Sequence, residues 1–277
     1  MDAMIWFITG ASKGFGREFA LAALERGDQV AATARNTQSL TELSARFGDR
    51  LLPLRLDVTD RAADFDAVGR AYDHFGGLDV VVNNAGYGHF GAFEELSEAD
   101  LRDQLETNLF GAVWITQAAL PFLRARGSGH IVQVSSIAGL GAFANMSAYH
   151  ASKWALEAVS ESLYTEVRPL GIKVTLVEPG LFGTDWAGPS ARWSEKMSEY
   201  DFVRQAAQQR QSKLTLGDPK AAGRTLLEIV DAEDPPLRVL FGADVLGRVS
   251  EIYQQRLTDW REWEAVSRRA QGGLPAG

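Results

Sequence analysis

"FITGASKGFGREFA", residues 7–20, decides how this chain is read. It leaves the apolar run "MIWFIT" (4–9), passes through Gly10, Gly14 and Gly16, and enters "GREFALAALERG" (16–27). In that last stretch Phe19, Ala22, Ala23 and Arg26 recur at helical spacing, and Gly27 can close the final turn. A strand that bends through glycines straight into a helix predicts a β-turn-α unit.

Working outward, the same alternation continues. "QVAATA" (29–34), "RLLPLRL" (50–56), "LDVVVNN" (78–84), "GHIVQVS" (129–135), "IKVTLVEP" (172–179) and "LRVLFG" (237–242) read as strands bounded by turn residues. Helical patterns lie between them. The strongest, "SAYHASKWALEAVSESLYTEVRPLG" (147–171), is ended by Pro169 and Gly171. Strands apolar on both faces and separated by helices predict a parallel sheet covered on both sides. The expected fold is α/β, a doubly wound Rossmann-type sheet of about seven strands, in one domain spanning residues 1–277. Two stretches break the rhythm: an insertion at 181–217 rich in Trp, Met and Gln, and a helical extension at 243–277 carrying Trp260 and Trp263. The tail "QGGLPAG" (271–277) is expected to fray.

Composition narrows the function. The formal charge of -8, without a long run of Lys and Arg, argues against a nucleic-acid partner. The absence of Cys excludes disulfides, thiolate metal sites and cysteine nucleophiles, and fits a reducing compartment. The N-terminus has neither the basic start nor the small-residue cleavage site of a signal peptide, and no apolar run reaches bilayer length. The expectation is a cytoplasmic protein. Its four His residues show no ligand spacing, so no metal is expected.

Gly10, Gly14 and Gly16 keep side chains away from a helix N-terminus, where backbone N–H groups and the positive dipole end attract a pyrophosphate. Their spacing is Gly-x3-Gly-x-Gly, whereas the common dinucleotide fingerprint is Gly-x-Gly-x2-Gly. "TGASKGFG" (9–16) is followed in order by "LDVTD" (56–60), "NNAG" (83–86), "YHASK" (149–153) and "EPG" (178–180). Through these five motifs the chain resembles the short-chain dehydrogenase/reductase family over about residues 4–185. The resemblance implies a nicotinamide dinucleotide held by the glycine loop, including Ser12 and Phe15. It implies Asp57 and Val58 at the adenine, and Asn84, Ala85 and Gly86 behind the adenosine ribose. Pro179, Gly180 and Thr184 then belong to the segment that contacts the nicotinamide. The family commonly has Ile or Val where this chain has Phe182.

Charge selects between the two dinucleotides. The second strand ends "VAATARN" (30–36), which puts Arg35 where an NAD site carries an acidic residue, and Lys13 adds a cation within the glycine loop. Two cations and no carboxylate favour the 2′-phosphate of NADP(H) over NAD(H).

At the reacting end, Tyr149 and Lys153 share one helix face. A free phenol holds its proton tightly at neutral pH, and a nearby ammonium is expected to bring its pKa down. By resemblance Tyr149 is the general acid, and Ser136, thirteen residues earlier, bonds the substrate oxygen. Lys153 binds the nicotinamide ribose, and Asn108 in "LETNLFG" (105–111) bends its helix and holds a water linking Lys153 to solvent. Tyr164 with Arg168, and Tyr200 with Arg204, repeat the spacing without those surroundings and are read as structural.

These residues point to an NADP(H)-dependent oxidoreductase that interconverts a ketone or aldehyde and an alcohol by hydride transfer. Phe182, Trp186, Trp193, Met197, Tyr200 and Phe202 in the insertion, with Phe143 and Met146 opposite, point to a bulky apolar substrate or else to the core of a helical lid. The other readings are a redox sensor that binds NADP without turnover, a nonredox epimerase or dehydratase on the same fold, and a ketoreductase acting on carrier-bound acyl groups. By resemblance the chain forms a homo-oligomer, dimer or tetramer, through the long helices carrying Asn108 and Tyr149.

Overall fold

The computed structural model describes residues 3–188, 190–211 and 214–272. In chain order its strands are β1 (Ile5–Ile8), β2 (Gln29–Ala34), β3 (Leu51–Arg55), β4 (Val80–Asn83), β5 (His89–Phe90), β6 (Gly129–Val134), β7 (Ile172–Pro179), β8 (Arg192–Trp193) and β9 (Arg238–Phe241). Seven of them form one parallel sheet in the order β3-β2-β1-β4-β6-β7-β9. The helices are α1 (Gly14–Arg26), α2 (Thr41–Phe47), α3 (Arg61–Phe75), α4 (Glu98–Leu105), α5 (Gly111–Arg126), α6 (Ser147–Val167), α7 (Asp201–Gln211), α8 (Pro219–Asp231), α9 (Val245–Glu262) and α10 (Glu264–Ala270). None of the helices among the described residues is long and apolar enough to cross a membrane.

Alternate side chains of each strand feed two cores, which is why the strands read as unbroken apolar runs. Trp6, Ile8, Val30, Ala32 and Val132 pack with Phe19 and Leu24 of α1 and Leu226 of α8 on one face. Phe7, Ala31, Val81 and Ile131 pack with Val68 of α3 and Ile115 and Leu123 of α5 on the other. Gly27 closes α1 in a left-handed conformation, as its position predicts.

Sheet order reverses between β1 and β4, so the crevice beyond their carboxyl ends is the place such a sheet offers a ligand. Thr9 fixes that crevice: its Oγ1 accepts hydrogen bonds from the amides of Asn84 (2.9 Å) and Ala85 (3.0 Å). Between α4 and α5 the helix widens into a single π turn, Glu106–Phe110, with Asn108 buried inside it.

The insertion is folded against the segment after β4. β8 pairs with β5 in parallel, and His89 Nε2 lies 2.8 Å from Ser194 Oγ. Glu95, its side chain 1% exposed, accepts from Arg204 of α7 (2.5 Å) and from the Met197 amide (2.8 Å). Residue 189, residues 212 and 213, and the tail from residue 273 onward, where fraying is expected, lie outside the described residues.

Candidate active site

A cleft of about 670 Å³ runs across the carboxyl ends of the central strands. One end is walled by Gly10, Ser12, Lys13, Gly14 and Phe15 of the glycine turn, Arg35 after β2, and Asp57 and Val58 after β3. Asn84, Ala85 and Gly86 follow β4, and Pro179, Gly180 and Thr184 follow β7. Ser136, Tyr149 and Lys153 close the other end.

Two expected residues are not on this wall. A Cβ on Gly16 would stand 2.4 Å from Asn84 Nδ2 and 2.5 Å from Gly10 O, so this glycine serves close packing beneath the turn. Asn108 lies behind Tyr87: its Nδ2 donates to Tyr87 O (3.0 Å) and Ser152 Oγ (3.1 Å), and its Oδ1 accepts from the Tyr87 amide (3.1 Å). It therefore ties the π turn to both the β4 loop and α6.

The N-terminus of α1 fits a dinucleotide phosphate. Its first turn has no acidic residue, and no side chain caps its amides. Gly14 takes a positive φ of 57°, and a Cβ there would meet only Thr184, at 3.7 Å. Arg35 is exposed and has no ion-pair partner among the described residues, whereas Lys13 leans toward Asp185 at 3.6 Å.

Lys153 Nζ, almost fully buried, donates to Val134 O at 2.7 Å and lies 5.8 Å from the centroid of the Tyr149 ring. Burial draws its pKa down to about 8, opposed by the charge of Glu157 one turn along α6. The expectation that the ammonium lowers the phenol's pKa is corrected here. Burial pushes Tyr149 above its ordinary value, and the counteracting influence is its hydrogen bond with Ser136. Desolvation wins because Tyr149 is only 5% exposed and the ammonium is engaged by a carbonyl. The phenol is thus held protonated.

The look-alike pairs have other work. Arg168 donates to the Tyr164 hydroxyl at 2.5 Å on the exposed surface, and Tyr200 donates to Glu94 at 2.5 Å.

Of the aromatic side chains expected to face a substrate, Phe182 and Trp186 line the cleft. Phe182 meets Phe15 edge-on with ring centroids 4.9 Å apart; Trp186 lies 4.9 Å from the Tyr149 ring and 5.6 Å from Phe90. Gly88 admits the indole, since a Cβ there would be 2.6 Å from it. Trp193 stacks on Phe90 and stays exposed, as does Phe202. Met197, Tyr200, Phe143 and Met146 are not part of the cleft wall, which corrects the expectation that they would frame an apolar substrate there. Tyr87, Asp103, Glu106 and Arg192 also line the cleft, with Arg192 bonded to Asp103 at 2.8 Å.

Reading the sequence missed Thr9, Tyr87, Arg192 and Glu157. Thr9 and Glu157 carried a usable signal, since one sits inside "TGASKGFG" and the other follows Lys153 by one helical turn. Arg192 meets Asp103 only through the folding of the insertion.

The family model described as short chain dehydrogenase matches residues 4–195. Oxidoreductase BOA17 of Botryotinia fuckeliana (strain B05.10) is 40% identical over 272 residues, 95% of this chain and 98% of that protein. The crystal structure of a short-chain dehydrogenase from Streptomyces avermitilis superimposes with a TM-score of 0.92 at 42% identity, over 97% of this chain and 98% of that one. An alcohol dehydrogenase from the archaeon Thermococcus sibiricus, solved with 5-hydroxy-NADP, has a TM-score of 0.71 at 25% identity, over 87% and 96% of the respective chains. A glycine-turn cleft on a doubly wound sheet, with this breadth of likeness, makes the chain an oxidoreductase belonging to the short-chain dehydrogenase/reductase family.

Proposed function

We propose that this protein reduces a ketone or aldehyde to an alcohol, or runs the reverse, with NADP(H). The observation that carries the reading is the juxtaposition in one cleft of an uncapped α1 N-terminus beside Arg35 at one end with Tyr149, Ser136 and Lys153 at the other. The dinucleotide, when bound, supplies or accepts the hydride. Arg35 and Lys13 hold its 2′-phosphate, Asp57 and Val58 border the adenine, and Pro179, Gly180 and Thr184 orient the nicotinamide end.

Ser136 donates a hydrogen bond to the substrate oxygen as negative charge develops on it. Tyr149 gives that oxygen its proton. Lys153, held by Val134 O, presents its cation to the nicotinamide ribose hydroxyls. Asn108, bonded to Ser152 on α6, lies on the route by which the proton is replaced from solvent.

An apolar substrate body rests against Trp186 and Phe182, with Arg192 and Asp103 at the polar margin of the same end. The chain works as a homo-oligomer built on α4, α5 and α6.

The test is a panel of carbonyls and alcohols with both cofactors, followed by nicotinamide absorbance, for the parent and Tyr149→Phe. Turnover should fall at least ~100-fold in the variant, with NADPH affinity by fluorescence titration nearly unchanged. Retained turnover removes Tyr149 as the acid. Nucleotide binding without turnover of any compound by the parent removes the oxidoreduction reading.

A further inference from the structure

His150 stands between the two residues of the Tyr149–Lys153 pair and has no part in the reaction as described. It is 4% exposed, and both ring nitrogens are used. Nε2 accepts the Phe143 amide proton at 2.9 Å, so that nitrogen must carry a lone pair. Nδ1 lies 2.9 Å from Ala138 O, an acceptor, so the ring's proton sits on Nδ1 and is donated there. The imidazole is therefore locked neutral, in one tautomer. Burial lowers its pKa in the same direction.

Both partners belong to the segment that leads from Ser136 to Tyr149. Ala138 is the middle residue of the turn Ile137–Gly139, and its amide donates to Ser136 Oγ at 3.1 Å. The donors run in one direction: the Phe143 amide to His150, His150 to Ala138 O, and the Ala138 amide to Ser136 Oγ. Ser136 Oγ, while accepting from Ala138, donates its own proton to Pro179 O at 3.4 Å, so the relay ends at the carboxyl end of β7. The far end of the segment is gripped from outside. Arg210 of α7 and Arg248 of α9 lie 5.7 and 5.6 Å from the Phe143 ring centroid. Gly141 abuts Ile252 of α9, where a Cβ would be 2.5 Å from that side chain.

We propose that His150 is a positioning residue: a neutral imidazole that latches the 137–146 segment to α6 and so holds the Ser136 side chain in place on the cleft wall it shares with Tyr149. This rests on the proposed function for its kinetic consequence, but the latch itself can be observed without turnover.

Two substitutions separate its bonds. His150→Asn keeps a short amide able to donate to Ala138 O but too short for Phe143. His150→Gln places an amide oxygen where Nε2 was and leaves Ala138 O without its donor. The Asn variant should raise KM at least ~5-fold while kcat falls less than ~3-fold. The Gln variant should lower kcat at least ~10-fold, because the turn carrying Ser136 is released. NADPH affinity should stay within ~2-fold in both. Equal kinetic effects of the two substitutions, or parent-like kinetics in both, would overturn the proposal. Independently, nitrogen NMR of 15N-histidine-labelled parent protein should show His150 protonated at Nδ1 with Nε2 as acceptor, unchanged from about pH 5.5 to 8. A proton on Nε2, or titration of this ring in that range, would overturn the latch even if no substrate were known.

Discussion

Arg35 shows what one residue can decide. It leaves the end of β2 exposed, with no ion-pair partner among the described residues, at the mouth of the cleft. Its charge is therefore available to a ligand, whereas Lys13 is shared with Asp185. Arg35→Asp should weaken NADPH binding at least ~30-fold and NADH binding by less than ~3-fold, because a carboxylate repels the 2′-phosphate and can bond a 2′-hydroxyl. Fluorescence titration with each cofactor checks this, and equal losses would remove the assignment. The place of Arg35 on the cleft wall was legible from the sequence because it follows directly on a strand's carboxyl end. Gly16 was legible only as a glycine. That it fills a gap against Asn84 and Gly10 depends on how β1 and β4 lie side by side.

Among the elements, α6 concentrates the chemistry. Its buried side carries Tyr149, Lys153 and Glu157 at four-residue steps, so a single helix face presents phenol, ammonium and carboxylate in sequence. Glu157 is also bonded to Arg238 of β9 at 3.0 Å, and Arg238 lies 3.5 Å from Glu178 of β7. Burial and the charge of Glu157 raise the pKa of Glu178. Lys153 is held at about 8 against burial by Glu157, so removing that carboxylate must lower it further. The ammonium form is lost as pH rises through this value. Glu157→Gln should consequently move the alkaline limb of the kcat profile for reduction to lower pH, by about one unit. A limb that stays in place would separate Glu157 from Lys153. The spacing of α6 was plain in the sequence, but Arg238 and Glu178 come from strands far along the chain and had no local signature.

For the molecule as a whole, stability should carry a pH dependence written by one misfit in the second core. Asp64 on α3 is fully buried, and both carboxylate oxygens lack a hydrogen-bond partner among the described residues. Burial first, then the charges of Asp60 and Asp57, push its pKa from 3.8 up to about 8. The folded chain thus keeps a proton that the unfolded chain releases. Stability from this group is full below the unfolded value and is lost as pH rises from about 4 to 8. Asp64→Asn cannot ionise, so its Tm should exceed that of the parent by several degrees at pH 8, with the gap closing toward pH 5. Identical thermal pH profiles would show that Asp64 does not titrate this way.

The sequence by itself determined the sheet and the placing of Tyr149 and Lys153 on one helix face. "QVAATA" and "IKVTLVEP" became β2 and β7 with unchanged ends, because a strand buried on both faces must be apolar along its whole length. The strand pairing of β5 with β8, two residues each, escaped notice, since so short an element leaves no period to read. Hydrophobicity marked Trp186, Trp193 and Phe202 alike, and only tertiary packing set one against Tyr149 and left the others exposed. The phenol's raised pKa was decided there too: local spacing supplies the neighbouring cation, whereas burial, which outweighs it, is a property of everything folded around the ring.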